Sequence, residues 1–408
     1  MLVVQKFGGT SVADPERIRA VADHVARTRR AGDDVIVVVS AMGKSTDDLL
    51  RLAFDVAEHP DGRELDMLLT AGERISMALV SMAVESLGVP AMSFTGSQAG
   101  IVTDTEHNRA KIIEVKGDRI REALAAGKVA IVAGFQGVST DREITTMGRG
   151  ASDLTAVALA AALDAEVCEI YTDVEGVYSA DPRICPKARK LSRVSFDEML
   201  EMAATGGRVL ALRSVEFARN HGVRIHVRSS FTWAPGTWVT EEDPFVTTSM
   251  EQAIISGVTH DAAEAKGTIE QVPDRPGVAA TWFRALADAG VNVDMIVQNV
   301  STDGHTDISF TVPRSDLTRA ESCMEKIVIE TEARGYRTDP GIGRVSLIGA
   351  GMKTNPGIAA RMFEVMAAEG INIEMISTST IRISCVVAEE DVERAVRALH
   401  TEFGLDGA

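Results

Sequence analysis

A lysine closes a short apolar run and two glycines follow it, in Lys6-Phe7-Gly8-Gly9-Thr10-Ser11. Glycines let a backbone approach phosphate oxygens closely, and N–H groups ahead of a helix favour an anion. The turn therefore suits a phosphate, although Gly-Gly reads equally as ordinary strand-to-helix punctuation. No GxxxxGK[ST] spacing occurs, which disfavours a P-loop enzyme. A second glycine-rich stretch, Thr146-Met147-Gly148-Arg149-Gly150-Ala151-Ser152-Asp153, runs into a helical pattern. It holds an arginine, a serine and an acid against a helix N-terminus, a setting for a carboxylate and a metal-bound phosphate. Ser152 or Asp153 also serves as a helix cap, and the two roles are compatible. Leu69-Thr70-Ala71-Gly72-Glu73-Arg74 is a third cluster, and Tyr171-Thr172-Asp173-Val174-Glu175-Gly176-Val177-Tyr178 with Ala180-Asp181-Pro182-Arg183 a fourth. Each places acids beside a turn, and each taken alone reads as a solvated loop.

The elements that must position these clusters are visible in the periodicity. Leu2–Phe7, Val35–Ser40, Val129–Ala133 and Glu166–Thr172 are near-continuous apolar runs of strand length, as strands buried on both faces should be. Between them, Asp14–Arg30 and Asp153–Leu163 are helical in pattern, with Asp14 and Pro15 as N-cap and first helical residue. Such βα alternation implies an α/β sandwich on a mostly parallel sheet.

After Glu241-Glu242-Asp243-Pro244 the style changes to an internal repeat. Pro276-Gly277, Ala279, Phe283, Gly290, Asn292, Met295 and Ile296 recur 80 residues on as Pro356-Gly357, Ala359, Phe363, Gly370, Asn372, Met375 and Ile376. Each copy reads as a strand, a turn, a helix, then a second strand beginning Val291-Asn-Val-Asp or Ile371-Asn-Ile-Glu, with further helices at Arg314–Glu332 and Glu389–Phe403. This order resembles the ACT domain, a ferredoxin-like βαββαβ module that binds amino acids between paired copies. A strand at Gln252–Val258 precedes the first copy's own opening strand, Ala265–Gln271. It is expected to complete the second module, so that the first is inserted into it; a plain linker strand is the alternative.

Taken together, KFGGTS, Val39–Gly43 (VSAMG), Leu68–Ser76 (LLTAGERIS), Gly134–Gly137 (GFQG), the GRGxSD loop and TDVEGVYSADPR resemble the aspartate kinase family in order and spacing. The resemblance spans the chain. It implies an amino-acid-kinase α/β/α sandwich over residues 1–245, a first ACT domain at 264–336 and a second made of 250–263 plus 337–408. It further implies ATP-dependent phosphorylation of the L-aspartate side chain. Lys6, Phe7, Gly8 and Gly9 would meet the ATP phosphates, Lys6 and Asp153 would be catalytic, and Mg²⁺ would arrive with ATP. Ser40, Thr46, Glu73, Arg149 and Ser152 would surround aspartate, with Arg149 on its α-carboxylate and Glu73 on its ammonium. Thr172, Asp173, Tyr178, Asp181, Arg183 and Arg208 would hold the nucleotide. Lysine, threonine or both would act as effectors at Asp274, Pro276, Gly277, Ala279, Asn292, Val293, Asp294 and Gln298, and at Asn355, Pro356, Gly357, Ile358, Asn372, Ile373, Thr378 and Ser379. Homo-oligomers would pair through the ACT domains, and an internal start near Met250 would give an α₂β₂ assembly.

This sequence departs from the family pattern at several positions. Ala151 and Leu154 stand in the GRGxSD loop where the family has Gly and Thr, and an alanine forced to φ > 0 would strain it. Arg208 replaces a common lysine. Val278 and Thr380 stand where acids are usual, so weakened feedback by a cationic effector is expected. The alternative reading is a catalytically weakened amino-acid sensor of the same fold; acceptors such as glutamate, N-acetylglutamate, carbamate or a nucleoside monophosphate are the nearer rivals.

Composition sets bounds on the rest. At 408 residues the chain needs more than one domain. A net charge of −17 would repel nucleic acid and anionic membranes. Cys168, Cys185, Cys323 and Cys385 lack metal or disulfide spacing and read as core thiols. Without an export pattern or a ~20-residue uncharged run, a soluble cytoplasmic protein is expected.

Overall fold

A parallel strand covered on both faces has no polar side to show, so the apolar runs of the first half go to the middle of a sheet. The computed structural model describes residues 1–148, 150–241, 254–299, 304–352, 355 and 357–407. The strands of the first half are β1 (Leu2–Phe7), β2 (Asp34–Val39), β3 (Ala91–Phe94), β4 (Ile101–Thr103), β5 (Ile112–Val115) and β6 (Val129–Ala133). They continue with β7 (Gln136–Ser139), β8 (Ile144–Thr146), β9 (Val167–Thr172), β10 (Arg193–Ser195), β11 (Ile225–Ser229) and β12 (Thr237–Thr240). Eight form one sheet in the order β10-β12-β11-β9-β1-β2-β6-β3, parallel except where β12 meets β11. The short strands β4, β5, β7 and β8 form a second sheet, which no periodic signal announced.

The helices are α1 (Pro15–Arg30), α2 (Ser45–Val56), α3 (Gly62–Ser86), α4 (Asp118–Ala125), α5 (Ala151–Ala162), α6 (Phe196–Ala204) and α7 (Leu212–His221). Asp14 caps α1 as its spacing predicts, accepting from the Arg17 N–H at 2.9 Å. Ile18, Val21, Ala22, Val25 and Ala26 of α1 and Val80 and Val84 of α3 bury one face of the large sheet. Helix α5, buried on nearly every side, covers the other with α7 behind it. The result is an α/β/α sandwich. Among the described residues α3 alone has the length and apolar character of a membrane span, and half of that stretch is buried, as in a core helix. One expectation fails here: Leu69–Arg74 is no loop but the middle of α3, where apolar residues three and four apart keep the helix against the sheet.

The chain divides into two compact units, and the second takes in residues 178–189 and 204–207 together with the C-terminal half. Its elements are β13 (Ile254–Pro273), α8 (Val278–Asp288), β14 (Ile296–Gln298), β15 (His305–Pro313), α9 (Leu317–Thr331) and β16 (Gly335–Ala350). After them come α10 (Gly357–Ala368), β17 (Met375–Thr378), β18 (Arg382–Ala388) and α11 (Val392–Glu402). The six strands form one antiparallel sheet, β14-β15-β13-β16-β18-β17. The two opening strands expected at Gln252–Val258 and Ala265–Gln271 are one strand from residue 254 on: its first part registers with Arg344–Ala350 and its second with Gly335–Ile342. Two apolar clusters follow the duplication, one around Trp282, Phe310 and Met324, the other around Met362, Val345 and Leu399. Val291–Asp294 and Ile371–Glu374 do not begin strands. The Val291 and Ile371 N–H groups bond back to Leu286 and Met366 at the ends of their helices, so bonding to the neighbouring strands begins only at Asp294 and Glu374, just ahead of β14 and β17. Cys168, Cys185 and Cys385 are buried and unpaired, and Cys323 is half-buried.

Candidate active site

Side chains alternate along β1, and that alternation separates two kinds of residue. Lys6 points to the α5 side, where its Nζ lies 2.6 Å from Asp153 Oδ1, with 11 % and 10 % of the two side chains exposed. The approach is ionic rather than an aligned hydrogen bond, so Asp153 Oδ1 is left with unused acceptor capacity in a buried place. Gln5 points the other way into a polar cluster. Glu169 there accepts from Gln5 Nε2 at 2.8 Å, Tyr171 OH at 2.9 Å and Arg228 Nη1 at 3.0 Å. Burial opposes the charge on Glu169, but the His226 ring 3.8 Å away, the hydrogen bond from Gln5 and the Arg228 charge outweigh it and hold the carboxyl down at about 2. His24 stacks on Trp233 at 4.1 Å and reaches Tyr171 OH at 2.7 Å; burial lowers its pKa to about 4. Sequence reasoning passed over this network, whose signal was the polar Gln5 and Glu169 inside apolar strand runs.

The KFGGTS turn is tighter than its glycines suggested. Phe7 is wholly buried and stacks on Tyr171 at 4.8 Å, so only its backbone can face a ligand. The Gly8 N–H is already taken by the Tyr171 carbonyl at 3.2 Å, and the helix that follows is a single 3₁₀ turn, Gly9–Val12. Gly9 is needed for packing: a Cβ there would lie 2.8 Å from the Ala41 carbonyl oxygen.

Ser40 follows β2, its N–H donating to the Phe7 carbonyl at 3.1 Å and its carbonyl accepting from Ser76 Oγ at 2.7 Å. Glu73, 3 % exposed, accepts from the Ala41 N–H at 3.2 Å, while its Oε2 has no partner. Burial pushes this carboxyl up to about 7. Gly72 allows the approach, since a Cβ would meet Ala41 Cβ at 2.7 Å. Thr46, half-buried, lies in the first turn of α2.

The glycine-rich loop is held at its N-terminal end by residues the sequence did not single out. Fully buried Asp66 of α3 accepts from Thr146 Oγ1, from His107 Nδ1 at 2.6 Å and from the Asn108 N–H at 3.2 Å. Arg213 of α7 donates to the Met147 carbonyl at 2.7 Å. Gly148 and Gly150 take the positive φ values, +84° and +76°, and Ala151 opens α5 in ordinary helical backbone. The strain anticipated at Ala151 is therefore absent, because the left-handed positions are the glycines on its N-terminal side. Ser152 packs where a Cβ on Gly134 would come within 2.8 Å. Arg149 lies outside the described residues.

Of the nucleotide candidates, Thr172 donates to Asp173 at 3.2 Å in the first unit, where Arg208 is exposed ahead of α7. Tyr178, Asp181 and Arg183 belong to the second unit, where Arg183 grips Asp181 with three hydrogen bonds of 2.6 to 3.1 Å. Also in the second unit, Asp274, Pro276, Gly277, Ala279 and Gln298 line one cavity of about 330 Å³. Asn292 and Val293 are not among its lining residues, and Asp294 pairs instead with buried Arg344. In the second repeat Ile358 is buried, its N–H bonding the Asn355 carbonyl at 3.2 Å, and Gly357 opens α10. Asn372 is exposed and Ile373 half-buried, Thr378 pairs with Ile383, and the Ser379 N–H bonds Arg382 at 2.8 Å; Pro356 lies outside the described residues.

Comparison with known proteins separates the two halves by family. Residues 1–229 match the amino acid kinase family, and residues 270–326 and 345–403 match the ACT domain. The chain is 57 % identical to an aspartokinase of Mycolicibacterium smegmatis and 55 % to one of Corynebacterium glutamicum, in each case over all of this chain and 97 % of the other. Among solved structures, E. coli aspartokinase III with aspartate and ADP, in its R-state, aligns with TM-score 0.83 at 25 % identity, covering 98 % of this chain and 99 % of that one. The same enzyme with lysine and aspartate, in its T-state, aligns with TM-score 0.73 at 26 % identity over the same coverage.

Proposed function

The chain belongs to the aspartokinases, amino acid kinases that carry ACT domains, and from that premise we propose how its residues divide the work of the reaction. That reaction is transfer of the γ-phosphoryl group of ATP to the side-chain carboxylate of L-aspartate, the first step towards lysine, threonine and methionine. A carboxylate is ionised at neutral pH, so the nucleophile needs no general base. Its difficulty is approaching a polyanion. Lys6 offsets that repulsion and stabilises charge on the transferring group, and Asp153 orients the ammonium; the observation that carries this reading is their buried 2.6 Å pair.

Glu73 faces the ammonium group of aspartate, Arg149 binds the α-carboxylate through two N–H donors, and Ser40, Thr46 and Ser152 complete the pocket. Fixing the α-carboxylate decides which carboxylate meets the phosphorus. The backbone of Phe7, Gly8 and Gly9 lies along the phosphates, and Thr172, Asp173, Tyr178, Asp181, Arg183 and Arg208 hold the nucleotide. Mg²⁺, when bound, neutralises charge on the phosphates. Lys6 occupies Oδ1 of Asp153 at 2.6 Å, so a carboxylate contact to such an ion would fall to the other oxygen.

Lysine and threonine are the proposed effectors, one at the cavity of the first repeat. The continuous strand β13 supports an inserted first ACT domain, with the second completed by the 254–261 segment. Pairing of chains through these domains, and a separate subunit begun near Met250, which lies outside the described residues, belong to the same proposal. A weakened sensor is disfavoured because Ala151 is unstrained and the Lys6–Asp153 pair is intact. The test is to trap acyl phosphate with hydroxylamine, offering aspartate, glutamate and N-acetylglutamate in turn. Aspartate alone should give strong signal, and Lys6→Ala should lower kcat by ~10²–10³-fold; an unchanged rate in that variant would remove Lys6 from the mechanism.

A further inference from the structure

Ser179 has no role in the division above, yet three segments of the second unit meet at it. Its N–H donates to the Arg189 carbonyl at 2.8 Å and its Oγ accepts from the Arg189 N–H at 2.8 Å, which closes the 178–189 loop at its base. Its carbonyl accepts from the Val258 N–H of β13 at 2.7 Å, where a Cβ on Gly257 would stand 2.8 Å from the same oxygen. The hydroxyl then lies 3.0 Å from His400 Nε2 in α11 and 3.0 Å from the Leu405 carbonyl. His400 Nδ1 is 3.1 Å from Asp406 Oδ1. Two further contacts run alongside: the Gly407 N–H donates to the Lys187 carbonyl at 2.7 Å, and Ala188 bridges Asp406. Ala180, Ile184 and Cys185 of the loop share an apolar cluster with Met362, Leu399 and Leu405.

A serine, a histidine and an aspartate in this order have the connectivity of a nucleophilic triad. Ser179 is 0 % exposed, however, and its hydroxyl is held by Arg189 and Leu405, so no acceptor can reach it. Burial lowers the pKa of His400 against the pull of Asp406, which leaves the ring neutral at pH 7. Its Nδ1–H then goes to the carboxylate, which leaves Nε2 and the Leu405 carbonyl, each 3.0 Å away, as the two acceptors that share the one serine proton. The arrangement is a clasp.

We propose that this clasp, Ser179–His400–Asp406 with the tail Leu405–Gly407, is a positioning device for the nucleotide. It holds the segment bearing Tyr178, Asp181 and Arg183 on the C-terminal helix of the second repeat, so that the end of the chain sets the affinity for ATP. The inference rests on the reading of those three residues as nucleotide contacts.

The test uses the full-length enzyme, with ATP and aspartate varied separately. Ser179→Ala, Asp406→Ala and a chain ending at Gly404 should each raise KM for ATP at least about fivefold, the cost of a single lost hydrogen bond, and leave KM for aspartate in place. Asp406→Asn, which still accepts from Nδ1–H, should restore the wild-type value. Arg183→Ala serves as the reference for the nucleotide reading. If it raises KM for ATP while the clasp variants do not, or if those variants move both KM values together, the clasp has no positioning role. If neither Arg183→Ala nor the clasp variants move KM for ATP, the nucleotide reading falls and the clasp with it. Should the shortened chain fail to fold, the Asp406 pair decides, because that side chain is 41 % exposed and outside the core.

Discussion

Glu73 is an acid on the buried face of a helix, and burial raises its carboxyl from 4.5 to about 7 in the folded protein. A group raised in this way contributes stability that is complete below about 4.5 and lost as pH rises through about 7. Function asks for the opposite form, because only the ionised carboxylate attracts the ammonium group of aspartate. The kcat/KM for aspartate should therefore fall on the acid side of about pH 7, and Glu73→Gln should abolish that limb while lowering the plateau. Persistence of the limb in the variant would assign it to another group. Lys6, Glu73 and Asp153 were legible from residue type and motif. Asp66, Glu169 and Arg213 were not, because a polar residue that braces another segment is recognisable only once its partners are folded around it.

At the scale of elements, the stretch from Thr146 to Asp153 is held by its neighbours as well as by its own bonds, from the Ala151 N–H to the Gly148 carbonyl and from the Asp153 N–H to the Gly150 carbonyl at 3.2 Å each. Asp66 of α3 takes Thr146, Arg213 of α7 takes Met147, and Gly134 leaves room for Ser152. Gly150 stands at φ +76°, and a Cβ there would meet Ala211 Cβ of the turn before α7 at 2.7 Å. Gly150→Ala should cost ~1–3 kcal/mol of stability from left-handed strain and overpacking. It should also raise KM for aspartate, because Ser152 and Asp153 ride on the same turn. Urea unfolding and initial rates would check both, and a variant as stable as the parent would show that α7 yields. The periodicity of α1, β1 and β6 was plain in the sequence. Leu69–Arg74, which taken alone reads as a loop because two charged residues stand beside a glycine, is helical, and α3 buries Glu73 and Gly72 there against the Ala41 turn.

For the whole molecule, regulation turns on whether effectors bind two arrangements of the chain unequally, and typical coupling is ~1–3 kcal/mol. Val278 is buried and lines the cavity of the first repeat together with Asp274, so one acid is left there to meet a cationic ligand. Inhibition by lysine and threonine should accordingly be weak; titration of initial rates would test this, and strong concerted inhibition at sub-millimolar levels would reject it. The sequence alone determined the class of each half. Strand-length apolar runs, capped amphipathic helices and an 80-residue repeat are local patterns, readable without knowing what they touch. Only the tertiary structure decided that the two opening strands of the repeat are one, that Arg344 is spent on Glu264 and Asp294, and that the 178–189 loop is fastened by Leu405–Gly407. Those facts depend on contacts between residues far apart along the chain, which carry no periodic mark and come into being when burial forces each polar group to find a partner.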